Sequence, residues 1–448
     1  MRAVVTDQAV NLSIRFLENV LSSYDCHNFM ARFWDGSSWG NTRNPRFVMV
    51  LNHPGALRQM FSVASELSFG EAFVRGDFDL EGDIEAAFEL GDYLLQREQS
   101  IPERMRIGAL LLKLPAAAHT ETSGGTQLRG AVHSRSRDRA AVTYHYDVSN
   151  DFYSLWLDRR MVYSCGYFKT GLEGINRAQE QKLEHICRKL RLRPGDHLLD
   201  LGCGWGGLMC YAALNFGVQA FGITLSQPQA EFARARFREA GVADRCIVEV
   251  CDYRDLDPPQ EYDKIVSVGM FEHVGRDLLS EYFRQAWSVL RPGGVFLNHG
   301  IAASPTMTRR GPSFMDKYVF PDGDLVPLGT TIQVAESCRF EVRDVESLRE
   351  HYALTLRRWV RRLEARRVEA VRETNEQAYR IWRLYMAGSA HAFCTGRLNL
   401  YQVLLSKPEH GTTHLPLTRE DWYHTSHHSH GDSKNQDQRF AQDRKRSR

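Results

Sequence analysis

The segment Leu198-Leu199-Asp200-Leu201-Gly202-Cys203-Gly204-Trp205-Gly206-Gly207 constrains this chain more than any other stretch. An apolar run ends on an acid, spaced glycines follow, and the helix-like run Leu208 to Phe216 comes directly after. Glycine adopts backbone conformations closed to other residues and carries no side chain, so a strand can turn sharply into a helix and leave backbone N–H groups open to a ligand. Apolar runs at 198–201, 218–223, 246–250, 264–268 and 295–298 predict five strands. A helix over Asp277 to Leu290 is stopped by Arg291-Pro292-Gly293-Gly294. Short strands alternating with helices predict a mostly parallel sheet covered on both faces, with ligands bound beyond the carboxyl ends of its strands. Phe340-Glu341-Val342 and Leu400 to Leu405 are candidates for closing strands.

With this unit the chain divides into four pieces. Residues 1–100 read as a small mixed α/β domain, with a strand at Phe47–Leu51, a turn at Asn52-His53-Pro54-Gly55 and helical period from Ile84 to Leu95. Residues 101–140 read as a basic amphipathic linker. Its segment 101–114 sets Arg104, Arg106 and Lys113 beside Ile107, Leu110, Leu111 and Leu112, a pattern open to an ordinary packed helix or to an anionic membrane face. Residues 141–408 read as the large α/β unit, the expected seat of any catalysis, and 409–448, nearly devoid of apolar residues, read as a disordered, His-rich and basic tail. No Cys or paired carboxylate joins His424, His427, His428 and His430, so no metal site is expected there.

Bulk properties exclude several classes. With 448 residues, 43% hydrophobic and 25% charged, the chain supports more than one core. Arg2, Asp7, Arg15 and Glu18 interrupt the first twenty residues, so no export leader is expected, and no apolar run approaches the ~18 residues of a membrane crossing. Nine cysteines without CxxC spacing read as reduced thiols. A formal charge of +2 gives no ground for nucleic-acid binding.

The glycine loop alone also fits a dinucleotide. Three features favour S-adenosylmethionine. Asp200 at the strand end can face a positively charged methionine moiety, where it would repel a pyrophosphate. Thr224-Leu225-Ser226-Gln227, with Gln229 beyond, offers hydroxyls and amides but no acid for the ribose of a nicotinamide cofactor. Asp252-Tyr253-Arg254 supplies an acceptor and a ring at the height of an adenine. Glu272 and His273 follow the fourth strand and His299 follows the fifth, so all three are expected on the edge that carries the glycine loop. A carboxylate beside Met270-Phe271 must be desolvated or paired, which marks Glu272 for an ordering task. Upstream, residues 144–153 and 161–168 are rich in rings and hydroxyls and suit a lid over a sulfonium.

The motifs YHYDVSNDFY, YSCGYF, LLDLGCGWGG, GITLS, CDYRDL, YDKIVSVGMFEHVG, YVFPDGDL and HYALTLRRW occur in that order across about 144–406. In this the chain resembles the cyclopropane-fatty-acyl-phospholipid synthases, the family that includes the mycolic acid cyclopropane synthases. The resemblance implies a Rossmann-like class I S-adenosylmethionine methyltransferase fold with a smaller N-terminal mixed α/β domain that engages lipid. It implies methyl transfer to a cis double bond of a phospholipid acyl chain, with bicarbonate-assisted proton loss closing a cyclopropane ring. By motif, a bicarbonate cage would comprise Cys165, Glu272, His299, Ile301 and Tyr352, with backbone groups from Ile301 and Cys165. Tyr163, Ser164, Asp200, Gly202, Gly204, Gly206, Thr224, Ser226, Gln229, Asp252 and Tyr253 would hold the methyl donor.

The resemblance further implies a cytoplasmic protein peripherally associated with the inner face of the membrane, with an unsaturated phospholipid as partner, no nucleic acid, and a homodimer as a possible assembly. Arginines near 104–139 or 357–367 would attract anionic headgroups. The alternatives are a fatty-acyl methyltransferase giving a methyl-branched or methylene product, and a non-catalytic lipid-binding protein. Gly300 after His299 and the basic flank of Tyr352 depart from the family pattern, and the His-rich tail has no counterpart in it.

Overall fold

In the computed structural model the described residues are 8–24, 28–116, 129–146, 148–256, 261–305 and 313–423. The chain forms a compact unit over Met1–Thr413 and a separate unit over His414–Arg448, of which the described part carries the short helix Glu420–Tyr423. Residues 117–128 of the linker, Asp147 of the aromatic segment and the histidines from 424 onward lie outside the described residues.

The strands, in chain order, are β1 (Phe29–Arg32), β2 (Ser38–Gly40), β3 (Phe47–Leu51), β4 (Phe78–Gly82), β5 (His197–Leu201), β6 (Gln219–Thr224), β7 (Cys246–Val250), β8 (Tyr262–Val268), β9 (Leu290–Ala303), β10 (Glu341–Ser347) and β11 (Leu398–Ser406). They make a four-stranded sheet, β2-β1-β3-β4, and a seven-stranded sheet, β10-β11-β9-β8-β5-β6-β7. In the larger sheet β5 to β9 pair in parallel, and β11 enters antiparallel against β9. Its inner parallel strands β5 and β8 are nearly continuous in apolar residues, as strands covered on both faces are, whereas the edge strand β7 buries only Cys246 and Val248.

One expectation changes. The sequence ends the fifth strand at Asn298, with Arg291-Pro292-Gly293-Gly294 in front of it as a stop. Pairing with β11 from Val295 through Ala303 instead carries β9 on to Ala303, so His299 and Ile301 are strand residues pointing to one face. The Gly293 N–H donates to the Lys407 carbonyl at 2.8 Å, and the Lys407 N–H donates to the Gly294 carbonyl at 3.0 Å, which draws the glycine pair into the same ladder.

The predicted strand at Phe47–Leu51 forms, and its burial alternates: Phe47, Met49 and Leu51 are buried, as are Phe78 and Leu80 on the neighbouring strand. The helix Glu66–Arg75 between β3 and β4 starts on a Ser65–Ser68 capping box and ends at Gly76, φ +82°. The small sheet is locked onto the helix Glu376–Cys394. Arg380 donates to the Phe73 carbonyl and pairs with Asp79, and Arg383 donates to the Leu80 carbonyl and pairs with Glu364. A Cβ on Gly388 would stand 2.8 Å from the Phe88 ring, so only glycine admits this approach. One hydrophobic core runs from Phe29 and Phe47 through Trp156 and Trp359 to Leu400.

Candidate active site

The glycine loop leaves β5 with the backbone its sequence demands. Gly202 has φ +86°, and a Cβ there would meet Met270 at 2.8 Å; at Gly204, φ +54°, a Cβ would enter open space, so the loop leaves its backbone uncovered on that side. The N–H groups of Gly202 and Cys203 donate to the Ile223 carbonyl, which ties the loop to β6. Gly206, φ +73°, precedes the helix Gly207–Phe216.

At the end of β6, Thr224, Ser226 and Gln229 are buried and bonded to one another. Thr224 Oγ1 donates to Gln229 Oε1 at 2.8 Å, and Ser226 caps the helix Gln227–Glu239 by accepting from the Gln229 N–H. Asp252 accepts from the Arg254 backbone N–H and from its guanidinium at 2.6 and 2.8 Å; burial opposes its charge, but Arg254 holds the carboxyl below its usual range. Tyr253 packs edge-on against Tyr282 within the core, beneath the Arg254 guanidinium.

The segment Met161–Phe168 is pinned over this edge from below. Asp158 accepts from the Val162 N–H at 2.8 Å, Gln179 Nε2 donates to the Ser164 carbonyl at 2.7 Å, and Lys182 Nζ donates to Ser164 Oγ at 3.0 Å. Burial lowers Lys182 to about 8, against the pull of Asp158, Cys165 and Asp200. Burial raises Asp200 to about 7, with Lys182 opposing it. Lys182 thus holds the Ser164 hydroxyl and places its charge where it favours ionised Asp200, and sequence reading missed it. Its signal was faint, one lysine among the polar positions of the helix Ile175–Lys189.

Glu272 stands in the turn Phe271–His273 after β8. Its Oε1 accepts from the Ile301 N–H at 2.7 Å, so that amide is committed to Glu272, while Oε2 has no protein partner. Enclosed by protein, with its accessible part lining the cavity, Glu272 is pushed by burial up to about 7. His299 is buried on β9; its Nε2 has no protein partner, and Gln402 approaches its Nδ1. Burial, with Lys182 and Lys189 behind it, lowers His299 to about 3. Burial raises the Cys165 thiol above its ordinary range, so it stays protonated. Tyr352 packs on Phe393 and Trp359 and, like Cys165, Glu272, His299 and Ile301, lines the cavity.

Rings crowd around Tyr163. The Tyr163 hydroxyl lies 3.0 Å from that of Tyr385, and its ring meets His145, Tyr153, Trp156, Trp359 and Trp382. The cavity holds about 1150 Å³. Its lining joins Tyr163, Ser164, Gly269, Glu272, His299 and Ile301 of the large-sheet side to Phe47, Met49, Phe78 and Leu80 of the small sheet. Phe320, Tyr385 and the small-sheet walls were not expected from sequence, because periodicity gives a residue's face and not its distant partner.

A family model described as mycolic acid cyclopropane synthetase matches residues 133–403, more than half of the chain. The chain belongs to that family. Residues 16–97 match a second model, a domain of unknown function (DUF7884). Within the mycolic acid cyclopropane synthetase family and its relatives, a probable fatty acid methyltransferase of Pseudomonas putida is 40% identical over 401 residues, 88% of this chain and 95% of that protein. The cyclopropane-fatty-acyl-phospholipid synthase of Escherichia coli (strain K12) is 38% identical over 275 residues, 61% of this chain and 70% of that one. The crystal structure of the mycolic acid cyclopropane synthase CmaA1 complexed with SAH and CTAB matches with a TM-score of 0.57 and 32% identity, over 60% of this chain and 97% of that one. The β5–β11 sheet is accordingly that of a class I S-adenosylmethionine methyltransferase, with an additional N-terminal mixed α/β subdomain. Among the described residues no group of His, Cys, Asp and Glu is arranged to hold a metal ion.

Proposed function

We propose that this S-adenosylmethionine-dependent methyltransferase, acting on fatty-acyl chains, transfers the methyl carbon to a cis double bond in the acyl chain of a membrane phospholipid. The observation that carries the proposal is the cavity. Its volume of about 1150 Å³ exceeds the roughly 300–1,000 Å³ of ordinary small-molecule sites, and it runs from polar groups at the sheet edge into apolar walls of the small sheet. A small polar acceptor needs no such walls. On this reading residues 1–100 serve as the lipid-engaging part and 141–408 as the catalytic part.

The side chains fit the groups that the family implies. Gly204 leaves backbone uncovered beside the buried Thr224, Ser226 and Gln229, which suits a donor carrying a sulfonium methyl. Two buried polar atoms without protein partners, Glu272 Oε2 and His299 Nε2, belong to one cavity wall and suit a small hydrogen-bonding anion; bicarbonate there would supply a proton acceptor. Ionised Glu272 offers an acceptor lone pair, neutral His299 offers a ring nitrogen, and Tyr352 adds a hydroxyl on the same wall. An alkene is a weak nucleophile, so orientation by the cavity walls is the first requirement. Methyl transfer leaves positive charge on the chain, and the Tyr163, Tyr385 and Phe320 rings line the cavity and exclude water from it.

The positive chain then has two fates. Loss of a proton with formation of a double bond gives a methylene product, and a methyl branch needs hydride from a reductant in addition; the Pseudomonas putida relative, aligned over 95% of its length, supports this methyltransferase reading. Loss of a proton from the added methyl with closure of a carbon–carbon bond gives a cyclopropane, a second reading supported by the intact Glu272 and His299 wall. The test is purified protein with methyl-labelled S-adenosylmethionine and vesicles of mono-unsaturated or fully saturated phospholipid. Label in the acyl chains of the unsaturated lipid alone is expected; label in neither lipid, or in a headgroup, overturns the proposal.

A further inference from the structure

The helix Ile101–Lys113 has two apolar sides. Ile107, Leu110 and Leu111 pack on the core, against the helices Gln8–Val20 and Ala56–Phe61. Ile101, Met105 and Leu112 do the reverse and are 75%, 71% and 72% exposed. Helix geometry sets 101, 105, 108 and 112 in one line, so the exposed side chains form a single outer stripe with Gly108 in it. Arg104 edges the stripe on one side, while on the other Lys113 and Arg106 lie farther round the helix, past Ala109 and Pro102, and all three cations are exposed. Exposed apolar residues scattered singly are ordinary; three large ones in a line along one 13-residue helix mark a contact surface. Apolar side chains flanked by cations are the pattern of a helix lying in the interface of an anionic bilayer.

Its place in the fold points the same way. The preceding helix, Ala86–Gln96, ends on Leu94, Leu95 and Gln96, which line the cavity, and Leu95 is 37% exposed. Only four residues separate Gln96 from Ile101, where the outer stripe begins. Arg97 clamps the junction, donating to the Val20 carbonyl and pairing with Glu103. Other arginines that the sequence offers for headgroups are engaged within the protein: Arg135 pairs with Asp255, Arg137 with Asp322, Arg357 with Glu85 and Arg367 with Glu376, while Arg358 and Arg362 donate to backbone carbonyls.

We infer that the outer face of Ile101–Lys113 is the surface by which the protein docks on an anionic lipid bilayer, bringing the Leu95 end of the cavity to the acyl chains. Ile101, Met105 and Leu112 enter among the lipid tails, and Arg104, Arg106 and Lys113 meet the headgroups. The inference rests on the phospholipid reading proposed above, and its test separates the two.

Full-length protein is sedimented with vesicles of phosphatidylcholine, with and without phosphatidylglycerol. Wild type is compared with the I101E/L112E double variant and with the R104E/R106E/K113E triple variant, whose altered positions are exposed; thermal melting checks that each variant folds. Methyl transfer is assayed in parallel on unsaturated phospholipid in detergent micelles, where docking on a bilayer is not required. Wild type binds the anionic vesicles, both variants lose about tenfold or more of that binding, and both keep micellar activity. Variants that bind anionic vesicles as tightly as wild type overturn the inference, as does a wild-type dimer that the I101E/L112E variant dissociates with vesicle binding unchanged. Vesicle binding lost as predicted, with no micellar methyl transfer by wild type, contradicts the proposed function and not the docking surface.

Discussion

Gln402 stands directly opposite His299 across the β9–β11 ladder, its Nε2 3.1 Å from His299 Nδ1. An amide nitrogen can only donate, so Nδ1 accepts and the neutral imidazole keeps its proton on Nε2, an atom without a protein partner in a residue that lines the cavity. Next in the row, Glu346 faces Gln402 on β10 and binds His185 and Lys189, so the strand pairing sets three polar side chains in register under the site. Replacing Gln402 by Met keeps the volume and removes the donor. We expect nitrogen NMR of the ring to show Nε2 protonated in wild type and a mixture of tautomers in the variant, with turnover down about tenfold. Identical ring spectra in the two proteins would remove Gln402 from any positioning role.

Glu272 holds the Ile301 N–H with one oxygen and offers the other to the cavity. In Glu272→Gln the amide oxygen keeps the Ile301 bond, but the charge is gone. Turnover should fall by ~10² or more, with donor affinity in calorimetry within about twofold of wild type. Undiminished turnover on purified lipid would count decisively against this assignment.

The same residue sets a pH dependence of stability. Burial raises its carboxyl from 4.5 to about 7, so the folded state favours the protonated form. That contribution is full below about pH 4.5 and is lost as pH climbs through about 7. Wild type should therefore lose about 2 kcal/mol relative to Glu272→Gln between pH 4 and 8, after allowance for screening by cavity water. Denaturant melts at the two pH values check it, and a constant difference contradicts it.

At Gly204 a side chain would enter the open space beside the glycine loop. Gly204→Val should reduce donor affinity more than tenfold, while backbone strain at φ +54° costs about 1–2 kcal/mol of stability. Calorimetric titration with S-adenosylhomocysteine reads the first effect and thermal melting the second.

The apolar runs made β5 and β8 legible because a strand buried on both faces has an apolar side chain at nearly every position, while β7, at the sheet edge, buries only Cys246 and Val248; the glycine loop marked the edge where a donor is expected. Other features depended on contacts between distant segments. β9 continues past Asn298 only because β11 pairs with it, and β11 lies a hundred residues downstream. Gln402 was readable in principle, as the lone amide within Leu400 to Leu405, since a polar group in so apolar a strand must find a partner. No local pattern gave that partner as His299. Likewise the run Phe47–Leu51 read as a strand, but all five residues are apolar, so the sequence did not say which face is buried; the wall given to the cavity follows from how Arg380 and Arg383 hold the small sheet against the helix Glu376–Cys394.

The central claim is that a donor methyl carbon meets an acyl double bond inside this cavity. Carbon-13 NMR of lipid recovered after reaction with ¹³C-methyl S-adenosylmethionine and mono-unsaturated phospholipid vesicles tests it directly. The account predicts the labelled carbon bonded at the former double bond of the chain, as a ring, methylene or branch carbon. Labelled carbon on nitrogen or oxygen, or an acyl chain recovered unlabelled, would contradict it.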